Sequence, residues 1–221
     1  MKKLTLLVLC LLFLALAAAG QERYLRPVDE AAEDPSFLAF RTKLIAAAER
    51  KDGRYVLSMV DPKIQNGFGD RNGIAWFRRD WKLDRPDSEF WPKFLVVMKN
   101  GGSFTGEGAK KMSIFAAPYI YSSWPEDLDA FDHFAITGTD VNLRKEGRAD
   151  AEVVGKLSHN IVKIEGDIGN DGKTPEWRRV TTLGGLTGYV HRDYVRSSVD
   201  YRAGFEKKRG RWVMTFFLAG D

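Results

Sequence analysis

His133, His159 and His191 are the three histidines of the chain, and none stands at the H-x-H or H-E-x-x-H spacing that puts two metal ligands on one face. A zinc or imidazole-based site would have to be assembled wholly from distant segments, so the pattern favours ordinary polar or turn residues. Asp167-Ile168-Gly169-Asn170-Asp171-Gly172 opens like a calcium loop, with Asp at the first and fifth positions and Gly at the sixth. Its third position is Gly169, and its twelfth, which must supply a bidentate carboxylate, is Arg178. The segment therefore reads as a turn between strands. Glu126, Asp127, Asp129 and Asp132 are close enough to hold a hard cation or to act as an acid/base pair. Their alternation with Leu128 and Phe131 fits a solvated turn better. Asp61, Asp70, Asp80 and Asp84 are the carboxylates from which an acid/base pocket would be built in the first half of the chain.

Cations and rings are the other candidates. Arg78, Arg79, Lys82 and Arg85 form one basic group, and Lys207, Lys208, Arg209 and Arg211 form another. Either could meet phosphate or an anionic envelope polymer, although solvated faces explain both. The second group also guards a β-rich segment against edge pairing. Trp76, Trp81, Trp91, Trp124, Trp177 and Trp212 are many for 221 residues. Exposed Trp or Tyr stacks on sugars or fills peptide pockets, whereas buried rings build cores.

Lys2 and Lys3 precede an unbroken apolar run, Leu4 to Ala19, which ends abruptly at Gly20-Gln21-Glu22-Arg23. That is the pattern of a cleaved secretory leader, residues 1–20, with Ala17-Ala18-Ala19 as an A-x-A exit. The run is short for a bilayer span and ends in small residues, which disfavours a retained anchor. Lys2 and Lys3 leave with the leader and no acid does, so the 34 basic and 30 acidic residues of the whole become 32 and 30, a formal +2. So balanced a chain does not support a sequence-wide grip on nucleic acid. Cys10, the single cysteine, also leaves. No disulfide, thiol nucleophile or cysteine metal ligand is then expected. The expected destination is periplasmic or secreted, with no transmembrane segment after cleavage.

These side chains need elements to position them. Residues 21–33 read as a polar linker. Asp34-Pro35-Ser36 is a helix start, followed by Phe37, Phe40, Leu44, Ile45 and Ala48 at helical spacing. A short helix over Tyr55–Val60, a strand over Lys63–Phe68, and helices over Ile74–Trp81 and Phe90–Lys99 follow, the last capped by Asp87 or Ser88 and closed by Gly101-Gly102. Met112–Tyr121 turns β-like. Short strands are then expected at Phe134–Thr137, Val141–Leu143, Val153–Leu157, Ile161–Ile164, Trp177–Thr182 and Leu186–Val190, as a small barrel requires.

Val141-Asn142-Leu143-Arg144, Val153-Val154-Gly155-Lys156-Leu157, Trp177-Arg178-Arg179-Val180, Gly188-Tyr189-Val190 and Tyr194-Val195 together resemble a bacterial SH3-like (SH3b) domain. The resemblance implies a small β-barrel that binds or scaffolds, with no cofactor and no chemistry of its own. Arg144 and Tyr194, beside loops, are the residues it offers first for ligand contact. Trp177 and Tyr189 occupy pattern positions that mostly build the barrel. Lys145-Glu146-Gly147 departs from the family's Ser-Gly-Pro-like turn.

Beyond Val195 the pattern ends, yet Tyr201–Lys207 and Trp212–Leu218 flank a basic turn and read as a β-hairpin. Val213, Met214, Phe216, Phe217 and Leu218 make its second strand apolar on both faces, which marks a buried strand. Such a hairpin is marginal alone. It is expected to pair with the strand near Met112–Tyr121, and Gly210-Arg211-Trp212 resembles the final hairpin of NTF2-like α+β folds. The expected fold class is therefore α+β. A discontinuous α+β domain, residues 34–130 with 199–221, would carry an SH3-like barrel over residues 131–198. The expected function is non-enzymatic: binding a cell-wall polymer, whether peptide or glycan, or an envelope protein. An NTF2-like domain with an acid/base pocket, and an assembly factor that uses the hairpin edge, are the alternatives.

Overall fold

Asp34 opens the first long helix because its carboxylate accepts from the backbone N–H groups of Ser36 and Phe37, at 2.7 and 3.0 Å, while Pro35 occupies the first turn. The structure, a computed structural model, describes residues 20–105, 113–166 and 175–220. The expected leader with Cys10, the calcium-like segment Asp167–Gly172 and Met112 lie outside the described residues.

Along the chain run α1 (Pro35–Glu49), α2 (Gly53–Ser58), β1 (Val60–Gln65), α3 (Ile74–Trp81), α4 (Phe90–Lys99), β2 (Ser103–Phe104), β3 (Ile114–Ala117) and α5 (Tyr119–Ser122). There follow β4 (His133–Ile136), β5 (Val141–Arg144), β6 (Val153–Leu157), β7 (Ile161–Glu165), β8 (Trp177–Thr182), β9 (Thr187–His191), β10 (Val195–Arg196), β11 (Arg202–Lys208) and β12 (Arg211–Leu218). The fold is mixed α+β. The chain divides into two compact units, one of Leu25–Phe131 with residues from Arg196 onward, the other of residues 20–24 with Asp132–Val195.

In the unit containing the helices, a five-stranded sheet runs β1-β12-β11-β3-β2. β11 pairs antiparallel with β3, from Ala203 opposite Ala117 to Glu206 opposite Ile114, and β12 pairs in parallel with β1. Both hairpin strands are thus interior, with a partner on each side. A register shift between Gly204 and Phe205 places Gly204 opposite Phe216 and Phe205 opposite Met214, leaving Thr215 as the extra residue of a bulge. Glycine at 204 makes room there, since a Cβ would stand 2.0 Å from the Phe216 ring and the ring would have to move. Phe37, Phe77, Phe90, Phe94, Phe115, Phe205 and Phe217 are fully buried between helices and sheet. Phe37 lies 4.2 Å from Phe115 and 4.8 Å from Trp212, ring to ring.

Two local expectations are corrected here. Tyr119, Ile120 and Tyr121 are helical, not β: Pro118 has no N–H for a ladder, and its carbonyl accepts from Tyr121 and Ser122 instead. The strand expected over Lys63–Phe68 begins earlier, at Val60, where β12 offers its parallel partner.

In the other unit a seven-stranded sheet runs β10-β4-β7-β8-β9-β5-β6. Phe134, Ile136, Val141, Leu143, Leu157, Val162, Val180 and Val190 form its core. Along β5, Val141 and Leu143 point inward while Asn142 and Arg144 point outward. Strand spacing predicts a closed barrel, whereas the observed order is open, with no pairing between its ends among the described residues. β10 is only two residues long, and β6 leaves Val153 and Val154 exposed.

Residues 21–33 are not a free linker. In the sheet unit the Arg23 carbonyl accepts from Ile161 N–H, and the Glu22 carboxylate accepts from Asn160 and Thr182. In the helical unit Leu25 and Ala31 are buried, Asp29 makes a bidentate pair with Arg41 at 2.6 and 2.8 Å, and Glu30 accepts from Phe104 N–H. The polar composition that suggested a linker is consumed by these bonds.

Candidate functional site

The outward face of β5, β8 and β9 collects side chains of one kind of use. Strand alternation puts Arg144 two residues from Asn142 and His191 two residues from Tyr189. Cross-strand register sets Trp177 opposite His191 and Arg144 opposite Tyr189. The inward residues Leu143, Val180 and Val190 are fully buried, which holds these strands and therefore their outward side chains in place. After β9 a 3-10 turn over Arg192–Tyr194 swings Tyr194 beside the β4–β5 connection, where its carbonyl accepts from Thr137 N–H.

Arg144, Trp177, His191 and Tyr194, with Asp140 and Asn142, line a cleft of about 260 Å³. The Arg144 guanidinium is steadied by one bond, from Nη1 to the Ala151 carbonyl at 2.7 Å. The Trp177 and His191 rings meet edge to face at 5.4 Å. His191 Nδ1 accepts from Asp193 N–H at 3.4 Å, which orients the imidazole, and the Glu176 and Asp193 carboxylates lie 3.5 and 3.3 Å from its two nitrogens. Tyr194 is 47% exposed, so its ring is available to a partner. A fixed cation beside an indole, an imidazole and a phenol can grip a carboxylate and an apolar or sugar face together.

Of the residues singled out from the sequence, Arg144, Trp177 and Tyr194 thus come together. Tyr189 shares their face but lies outside the cleft, against the turn that departs from the SH3b pattern. A Cβ at Gly147 would stand 3.0 Å from Trp177 Cβ and 3.3 Å from Tyr189 Cδ1, so glycine there lets the turn lie on both. Histidine spacing alone missed His191. The strand period could have found it, because Tyr189 and His191 must share a face.

The remaining candidates are dispersed. Asp61 is 8% exposed and paired with Lys208 at 2.7 Å. The hydrogen bond from Lys208, with help from Lys63 N–H, holds its carboxyl below the usual carboxylate range against the opposing effect of burial. Asp80 pairs with Arg79, and Asp84 lines a separate cleft of about 720 Å³ with Lys51, Arg54 and Arg78. Asp70 lies in an exposed turn. Arg79 also covers the Trp76 ring at 3.6 Å, and Arg85 pairs with Asp87. At the hairpin turn Lys207 pairs with Asp34 and Lys208 with Asp61, leaving Arg209 and Arg211 exposed. In the acidic cluster, Asp129 accepts from Phe131 N–H in a local turn. Among the described residues no three His, Cys, Asp or Glu side chains gather as metal ligands. His133 is buried, and His159 occupies a left-handed turn position at φ 58°. Trp91 and Trp212 are core residues, Trp81 packs on Phe90, Tyr201 and Phe217, and Trp124 donates to the Leu128 carbonyl.

Among the described residues, no helix is long and apolar enough to cross a membrane. No protein-family model matches the chain, and no curated protein matches its sequence.

Proposed function

We propose that this protein is a non-catalytic binding or scaffolding protein of the cell envelope, periplasmic or secreted, in which an SH3-like module presents the Arg144, Trp177 and Tyr194 cleft to a cell-wall polymer. The convergence of those three side chains with His191 around about 260 Å³ carries the reading. Wall peptides offer free carboxylates that suit a guanidinium fork, and their methyl groups or the neighbouring sugar faces suit the rings. In the accompanying domain arrangement, the SH3-like module, residues 132–195, is inserted in a discontinuous α+β domain of residues 25–131 and 196 onward. The hairpin-edge alternative is disfavoured, because β11 and β12 each already have a neighbour on both sides.

Co-sedimentation with purified sacculi tests the proposal. The wild-type protein is expected to enrich in the pellet, and Trp177→Ala and Arg144→Ala each to weaken binding about tenfold, equivalent to about 1.4 kcal/mol. Wild-type enrichment no greater than that of a leaderless control protein would remove the wall reading.

A further inference from the structure

A second pocket is built on α4 and the segment entering β11. Pro92 and Val96 lie one helical turn apart on α4, and Val96 is 44% exposed, an apolar side chain left in the open. Opposite them stand Arg196, Asp200 and Tyr201, and together with Lys93 these residues line about 280 Å³. The Tyr201 ring stacks on Phe217 at 5.2 Å, which fixes one wall. Its apolar lining and modest volume suit a small molecule.

Arg196 is the group that this arrangement leaves unexplained. Its Nη2 donates to the Tyr201 carbonyl at 2.6 Å, but its Nε is shielded from solvent and has no acceptor. Among the described residues no carboxylate forms an ion pair with it, and Asp200 acts on it only through longer-range charge. Burial pushes its pKa below the ordinary arginine value despite that charge. A guanidinium largely withdrawn from water, with its Nε shielded and no counter-ion paired to it, carries a desolvation cost that a bound anion would offset. Lys93 does not compete for the same role, since its ammonium is already held by Glu89 at 2.5 Å.

We propose that this pocket binds a small amphipathic monocarboxylate, its carboxylate on the Arg196 guanidinium and its apolar body against Pro92, Val96 and Tyr201. A carboxylate matches the planar fork of arginine in two parallel hydrogen bonds. Asp200 on the same rim repels a multiply charged anion, which sets the class as singly charged. The apolar wall excludes a free inorganic ion as the best fit. This site is independent of the Arg144 cleft, so either reading can fail without the other.

Octanoate is the probe, titrated into the isotope-labelled protein and followed by amide NMR shifts, with octan-1-ol as the neutral counterpart. Octanoate is expected to give saturable shifts centred on Val96, Arg196 and Tyr201, and octan-1-ol to bind at least about tenfold more weakly. Arg196→Gln should weaken octanoate about tenfold or more. Should that variant fail to fold, Val96→Glu decides, because it adds a repelling charge at an exposed helix position and should impose a loss of about the same size. Equal binding of octanoate and octan-1-ol overturns the proposal, as does octanoate affinity unchanged in the folded variants. So does the absence of saturable shifts at about 10 mM octanoate.

Discussion

Replacing Asp34 with alanine tests whether one capping carboxylate ties the start of α1 to the C-terminal hairpin. Asp34 Oδ1 accepts from Ser36 N, Phe37 N and Ser36 Oγ, while Oδ2 accepts from Lys207 Nζ at 3.2 Å, 173 residues away. Ser36 Oγ in turn accepts from Lys207 Nζ at 2.9 Å and from Trp212 Nε1 at 3.0 Å. Loss of the cap costs about 1 kcal/mol. The Lys207 link adds up to about 1 kcal/mol, because the lysine is one-third exposed. Asp34→Ala should therefore lose about 1.5 to 2 kcal/mol, read as a lower urea midpoint with unchanged slope. Asp34→Asn keeps the capping oxygen and loses only the charge, so it should lose about 0.5 kcal/mol. Burial works to raise the Asp34 pKa, but hydrogen bonds from Ser36, Phe37 N–H and Lys207 outweigh it and leave the folded-state value below 3.8. A depressed folded pKa means the charge's contribution is complete above the unfolded value and lost as pH falls through the folded one. The gap between wild type and Asp34→Asn should hold from neutral pH down to about 5, begin to close near the unfolded value of about 4 and vanish only below the folded-state one. An alanine variant within about 0.5 kcal/mol of wild type would refute the cap-and-hairpin link, as would a gap that widens in acid.

Phe37→Ala opens the centre of the ring cluster and should cost about 3 to 5 kcal/mol in equilibrium unfolding, the range for a buried phenylalanine. A double-mutant cycle of Asp61→Asn and Lys208→Met should give a coupling of about 0.5 to 1 kcal/mol, modest because Lys208 is 46% exposed. The Lys208 hydrogen bond lowers the Asp61 pKa from 3.8, and the Asp61 hydrogen bond raises that of Lys208 from 10.5. The coupling should accordingly be flat at intermediate pH, fade as acid protonates Asp61, and fade again as alkali neutralises Lys208. Gly188→Ala places a Cβ 2.7 Å from the Arg144 carbonyl and from Leu143 Cγ, so β5 must move away from β9. It should cost about 1 to 3 kcal/mol by thermal unfolding and reduce sacculus binding through Arg144; stability and binding both unchanged would sink the account of how that strand is held.

Local signals in this chain were legible because they are settled within a few residues. Apolar spacing placed α3 over Ile74–Trp81 and α4 over Phe90–Lys99, although Glu89 stands at the cap position expected of Asp87 or Ser88, and Asp34-Pro35 marked the start of α1. The two-sided apolar run Val213–Leu218 announced a strand with a sheet around it, whereas Arg144, expected beside a loop, proved to be the last, outward-facing residue of β5. Neighbourhood was less legible, because it depends on which distant partners satisfy the same donors and apolar faces. The parallel partner of β12, the bulge opposite Gly204, the helical Tyr119–Ser122 and the pinned residues 21–33 are all outcomes of that competition. The candidate cleft divides in the same way. Its residue types and strand phases were written in sequence. Cross-strand register then brought His191 against Trp177, and the turn after β9 carried Tyr194 beside Arg144. Arg196 stands at the far end of that division, since nothing in its neighbours along the chain reveals a shielded Nε without an acceptor. Only the packed tertiary structure shields that Nε from water and withholds a counter-ion.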